Sequence, residues 1–178
     1  MPPELLSQWQ SHLSMQASAA ATLMGLVFVA ASINLSTIVS TPSLPGRVLE
    51  SVLQFVQVLF ISMLITIPRQ SSTALATEVL IVSFLSWTFH MLAFAQYYRA
   101  HLGNPGWWLA LRVVLAHLAI FPFFVFGACL FFDAEKAIYW AVPGFLFSFV
   151  AGLMNSWVLL IRVGRQVNHS ATSSARSD

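Results

Sequence analysis

Five long apolar runs, at 17–39, 48–67, 74–98, 107–132 and 137–161, constrain this chain more than any motif it carries. Each is roughly 20 to 26 residues long, enough for a helix rising about 1.5 Å per residue to cross a ~30 Å hydrocarbon core with modest tilt. In lipid every backbone N–H and C=O must be satisfied within the protein, and one isolated run achieves that only as a helix. The expected fold is therefore all-α, a polytopic transmembrane bundle of five spans. Composition agrees, with 8% of the 178 residues charged and 58% hydrophobic. An ordinary soluble domain carries about 25% charged residues.

The breaks between runs are turn chemistry: Thr-Pro-Ser-Leu-Pro-Gly at 41–46, Pro-Arg-Gln-Ser-Ser at 68–72 and Gly-Asn-Pro-Gly at 103–106. Asp-Ala-Glu-Lys at 133–136 is a short charged connection. Before the first run, Leu5, Leu6, Trp9 and Leu13 share one side of an amphipathic stretch. It predicts a short N-terminal interfacial helix with Trp9 at headgroup level. The start does not resemble a secretory signal, since no Lys or Arg precedes the first run. Residues 1–163 form a single membrane domain in this reading. Residues 164–178, rich in Ser, Ala and Thr without periodicity, are expected to be a disordered cytoplasmic tail. The sole cysteine, Cys129, excludes an intrachain disulfide and reads as a small buried hydrophobe.

Counting cations at the span ends orients the bundle. One side receives Arg47, Arg99, Arg112, Arg162, Arg165 and Arg176, the other only Arg69 and Lys136. The positive-inside rule then places the C-terminus in the cytoplasm and the N-terminus outside. A net charge of +2 is too small to suggest nucleic acid as a partner.

The last span repeats a small residue every fourth position, Gly144, Ser148, Gly152 and Ser156, and the first has a shorter series in Ala17, Ala21 and Gly25. Small faces let helices approach closely in lipid. The simplest expectation packs span five against span one, and the sharper one is a homo-oligomer. Pro122 and Pro143 should kink or loosen their helices.

Polar residues inside the spans need a reason. Glu50, Gln54 and Gln57 fall within about 60° of arc on span two, so the stripe faces protein or water. Asn34, Gln96, Arg112 and Asn155 lie at similar depth on the other four spans. A polar layer near the cytoplasmic side follows, with Glu50 pairing with Arg112 across the bundle. His90 and His117 flank the 103–106 turn symmetrically, each near mid-membrane, and His90 shares a face with Ser83 and Ser86. Two such histidines suit a structural role, a proton path, or a haem or metal site. Against the last, helices joined by a tight turn pack about 8–10 Å apart, too close for a porphyrin between two axial imidazoles.

The chain has no His-Glu-x-x-His motif, nucleophile elbow, phosphate loop or Cys/His array, and its acids are too scattered for a paired acid/base site. An enzyme is not expected, nor a cofactor or bound metal.

The opening of span one, Ala21-Thr22-Leu23-Met24-Gly25-Leu26-Val27-Phe28-Val29-Ala30-Ala31-Ser32-Ile33-Asn34-Leu35, resembles a family of small bacterial integral membrane proteins. So does the end, in Tyr139-Trp140, Phe147-Ser148-Phe149-Val150 and Asn155-Ser156-Trp157-Val158-Leu159-Leu160. Some members are described as modulators of a membrane-bound AAA protease. The resemblance implies a bacterial inner membrane and carries over no catalytic or ligand residue.

Three functional readings stay open. In the first, a non-enzymatic, self-associating bundle gives a small ion or proton path lined by Glu50, Gln54 and Gln57. In the second, a regulatory or structural subunit binds another membrane protein through its small-residue faces. The third is a haem- or metal-binding redox protein using His90 and His117. A path between protomers requires the stripes to converge on a shared axis; a subunit requires them to be buried within one chain.

Overall fold

The computed structural model describes residues 3–41, 44–100, 107–132 and 136–174. Its elements are helices α1 (Pro3–Ile33), α2 (Leu35–Ser40), α3 (Leu44–Ile65), α4 (Ser72–Ala100), α5 (Trp107–Phe131) and α6 (Ala141–Ser174). A 3₁₀ turn, Ala137–Trp140, leads into α6. Five stretches are long and apolar enough to cross a membrane: Ser7–Ile33, Leu44–Ile65, Ser72–Ala95, Ala110–Phe131 and Ala137–Ile161. The chain is a polytopic all-α membrane bundle.

The first span lies earlier than the hydropathy suggests. The amphipathic N-terminal stretch is helical, but it runs without a break into the span. Leu13, Ala20 and Val27, spaced by sevens, are buried along one side of α1, and that seam starts well before residue 17. The helix ends at Asn34, whose side-chain Nδ2 donates to Ala30 O at 2.9 Å. Such a local bond competes with the helical ladder, and the run expected to reach 39 continues only as the short α2. At the other terminus α6 extends to Ser174, into the stretch for which an irregular tail is expected. No proline interrupts it, and Ala, Arg, Gln and Val carry a helix past Gly164.

Neither proline breaks its helix. Pro143 is the third residue of α6, where its missing N–H would find no intrahelical acceptor anyway. Pro122 sits buried inside an α5 that continues to Phe131.

The neighbour order is a closed ring, α3 to α4 to α5 to α6 and back to α3, with α1 laid against α3 from outside. Consequently α3 is the most buried span and α1 the least. The ring's apolar core holds Phe55, Ile61, Val79, Phe123, Phe126 and Phe145. Outward faces carry Phe84, Leu92, Phe121, Leu146 and Trp157, all exposed, as an acyl-chain environment requires.

The two glycines of the α6 series pack against phenylalanines of α5 and α3, not against span one. A Cβ on Gly144 would lie 2.7 Å from Cζ of Phe123 on α5, and one on Gly152 would lie 2.7 Å from Cζ of Phe55 on α3. Each glycine is a notch that receives a phenyl ring, with Ser148 fully buried between them. The ring needs more room than a backbone-to-backbone crossing, so these notches face the aromatic helices α3 and α5. On α1, Ala17 is half-buried, whereas Ala21 and Gly25 face outward with open space beside Gly25. A third notch, Gly127 against Leu80, was not apparent from spacing because it stands alone on its helix.

Candidate functional site: a polar column inside the ring

Because α3 and α5 begin, and α6 finishes its apolar stretch, at the same end of the bundle, Glu50, Arg112 and Asn155 come to one level. Arg112 reaches across the ring from α5 with both Nε and Nη2. Nε donates to Glu50 Oε2 at 2.7 Å, and Nη2 forms the second arm of the ion pair with Oε1. Asn155 Nδ2 adds a longer contact, 3.4 Å, to Oε2. Glu50 is buried, 4% exposed. A carboxylate this enclosed persists because a planar guanidinium engages both oxygens.

One turn deeper, Gln54 Nε2 lies 3.0 Å from Nε2 of His90 on α4. His90 Nδ1 in turn lies 2.8 Å from the carbonyl of Ser86. The Ser86 carbonyl can only accept, and with Gln54 presenting its Nε2 to the ring the roles follow. Nδ1–H donates to the carbonyl, and Nε2 accepts from the Gln54 amide, so His90 is the neutral Nδ1–H tautomer. Ser83, a further turn along α4, is buried and bonds back to Val79 O at 2.7 Å. On α3 the column continues to Gln57, only 1% exposed. Among the described residues neither end of the Gln57 amide has a partner, and Gln54 Oε1 and Ser62 Oγ are likewise unpartnered. Beyond this depth Ile65, Val79, Phe126 and Leu130 close the interior with apolar side chains.

The column therefore has a charged latch at one end, polar groups to about mid-depth and an apolar layer beyond. At the far end of the bundle, Gln70 Nε2 donates to Glu78 Oε2. Arg69, at φ 58°, turns the chain there so that Gln70 meets the second turn of α4. Also at this end Trp9 is half-buried and packed edge-on against Tyr139, ring centroids 5.2 Å apart.

Of the residues singled out from sequence, Glu50, Arg112 and Asn155 are joined in one cluster and Gln54 and His90 in a second, one turn deeper, and Gln57 lies buried on the same stripe of α3. Asn34 is not brought in, because its amide is spent on its own helix. The side chain of Gln96 lies outside the described residues.

His117 does not join His90. It is exposed and bonds only to Val113 O, at 2.8 Å. Helical phase explains the separation: Phe123 is about 20° from Arg112 around α5, whereas His117 is about 140° away and faces outward. With both His90 nitrogens engaged by Gln54 and Ser86, the geometry does not support a two-histidine ligand set. Glu78 was missed by sequence reading. Its signal was an acid within two turns of a tight loop that carries a glutamine, too common a pattern to single out.

No family model matches the chain, and neither a curated protein nor a solved structure matches it.

Proposed function

We propose that this is a non-enzymatic membrane protein providing a gated proton path through the interior of its own four-helix ring. The observation that carries this reading is His90: a titratable ring held at mid-depth and linked through Gln54 to the helix of Glu50. Intramembrane ionisable residues lining a polar interior are the usual carriers of proton relays. The column is buried within one chain, which is the condition set for a subunit that binds another membrane protein. The path proposed here therefore runs inside a single ring and not along an axis between protomers, and the subunit reading stands beside it as the second. Opening requires release of the Glu50–Arg112 latch and displacement of the apolar layer around Phe126 and Leu130.

The test is proton flux into liposomes carrying a pH-sensitive dye, under an imposed potential. Wild-type protein is expected to conduct above empty vesicles, and His90→Phe to lose at least tenfold while folding normally in detergent. Flux that His90→Phe leaves intact would sink the reading.

The same proposal sets the Arg112 end at the cytoplasmic face, following the excess of arginines there, in a bacterial inner membrane as the family resemblance implies. Reporters fused to the two termini should read opposite sides, with the N-terminal one outside. Both on one side would contradict the orientation.

A further inference from the structure

The unpartnered atoms on α3 have a chemical pattern of their own. Gln57 offers two N–H donors and a carbonyl acceptor, and Gln54 Oε1, one turn away, offers another acceptor. Both side chains are essentially closed to the outside, each 1% exposed. Leaving such groups unmatched in a low-dielectric interior is costly. Pairing the two side chains with each other does not resolve it: a bond from Gln57 Nε2 to Gln54 Oε1 still leaves Gln57 Oε1 without a donor.

A bare cation does not resolve it either. It would serve the two carbonyl oxygens but leave the Gln57 N–H groups facing a positive charge, and the nearest carboxylate, Glu50, is already matched by Arg112. The guest that fits must donate and accept at once, be small, and be neutral. Water meets all three conditions and typically makes about three hydrogen bonds when buried.

We propose that Gln54 and Gln57 form a mid-membrane binding site for ordered water, placed one turn beyond His90's partner on α3. The inference extends the proposed path, since such water would adjoin the Gln54–His90 contact. Its test reads hydration and not flux, so the two can fail separately.

The experiment uses full-length protein in lipid bilayers, labelled with ¹⁵N at glutamine side chains and tryptophan indoles, and solid-state NMR transfer of magnetisation from water. Single Gln→Met variants assign the resonances. The Gln57 carboxamide is expected to build up from water at least severalfold faster than the indole of lipid-facing Trp157. Gln57→Met is expected to slow build-up at Gln54 at least twofold in the same preparation. Build-up at Gln57 no faster than at Trp157, while Gln70 at the bundle end still responds, would overturn the site. A saturable shift of the Gln57 resonance on adding sodium or rubidium would overturn the choice of water, by showing that a cation binds. Should Gln57→Met fold poorly, Gln57→Asn removes the same resonance and supplies the assignment, so the first question stays decidable.

Discussion

Replacing Arg112 with methionine is expected to cost the folded bundle about 3–5 kcal/mol, the range for breaking a buried ion pair from one side. The reason is what stays behind. Glu50 is 4% exposed and held by two guanidinium nitrogens. Without them, the Glu50 contact that remains in view is the 3.4 Å approach of Asn155, too long to satisfy a carboxylate. Arg112→Lys should recover only part of the loss, because a single ammonium cannot reproduce the two-pronged contact.

The double variant Glu50→Leu with Arg112→Met is the informative one. Removing both charges also removes the desolvation cost, so its stability should return to near wild type. Unfolding titrations in mixed micelles, followed by tryptophan fluorescence, measure all three proteins. If the double variant is as unstable as Arg112→Met, the pair is not an isolated electrostatic unit. If Arg112→Met is neutral, Glu50 has another partner or reaches water. The same double variant should conduct differently from wild type in the flux assay, since it lacks the latch whatever its stability.

Much of this arrangement was legible from residue spacing, for a physical reason. A polar group in lipid has few tolerable places, so its position on the helical wheel nearly dictates what it faces. That logic placed Glu50, Gln54 and Gln57 on a stripe facing protein or water and paired Glu50 with Arg112. It failed where depth was used without phase. His117 matches His90 in depth, but its azimuth on α5 turns it outward. Asn34 matches the layer too, yet a short amide on a helix can satisfy itself on the preceding turn. The small-residue series failed differently. The spacing in α6 correctly marked a close-packing face, but a series of notches does not reveal what fills them. Two phenylalanines on α3 and α5 fill them, and nothing in the spacing of α6 names those partners.

Those notches give the second large effect. Gly152→Ala is expected to destabilise the bundle by about 1–3 kcal/mol, the usual range for overpacking a dense core. The new methyl would stand 2.7 Å from the Phe55 ring, which is fully buried and has no free direction in which to retreat. Propensity alone predicts the opposite sign, because alanine favours a helix interior over glycine by about 1 kcal/mol. Gly25→Ala supplies that control. Nothing lies within 4 Å of its Cβ position, so it should be neutral or mildly stabilising under the same conditions. Trimming the partner provides a stricter check. In a Phe55→Leu background the cavity left by the ring can accept the methyl, and the cost of Gly152→Ala should shrink or vanish. A penalty that persists there would locate the strain in the α6 backbone instead of the ring. A Gly152→Ala protein as stable as wild type would mean that α3 and α6 can slide apart, and with them the helices that carry Glu50 and Asn155. In that case the latch and the notch would be coupled, and Gly152→Ala should also raise proton flux.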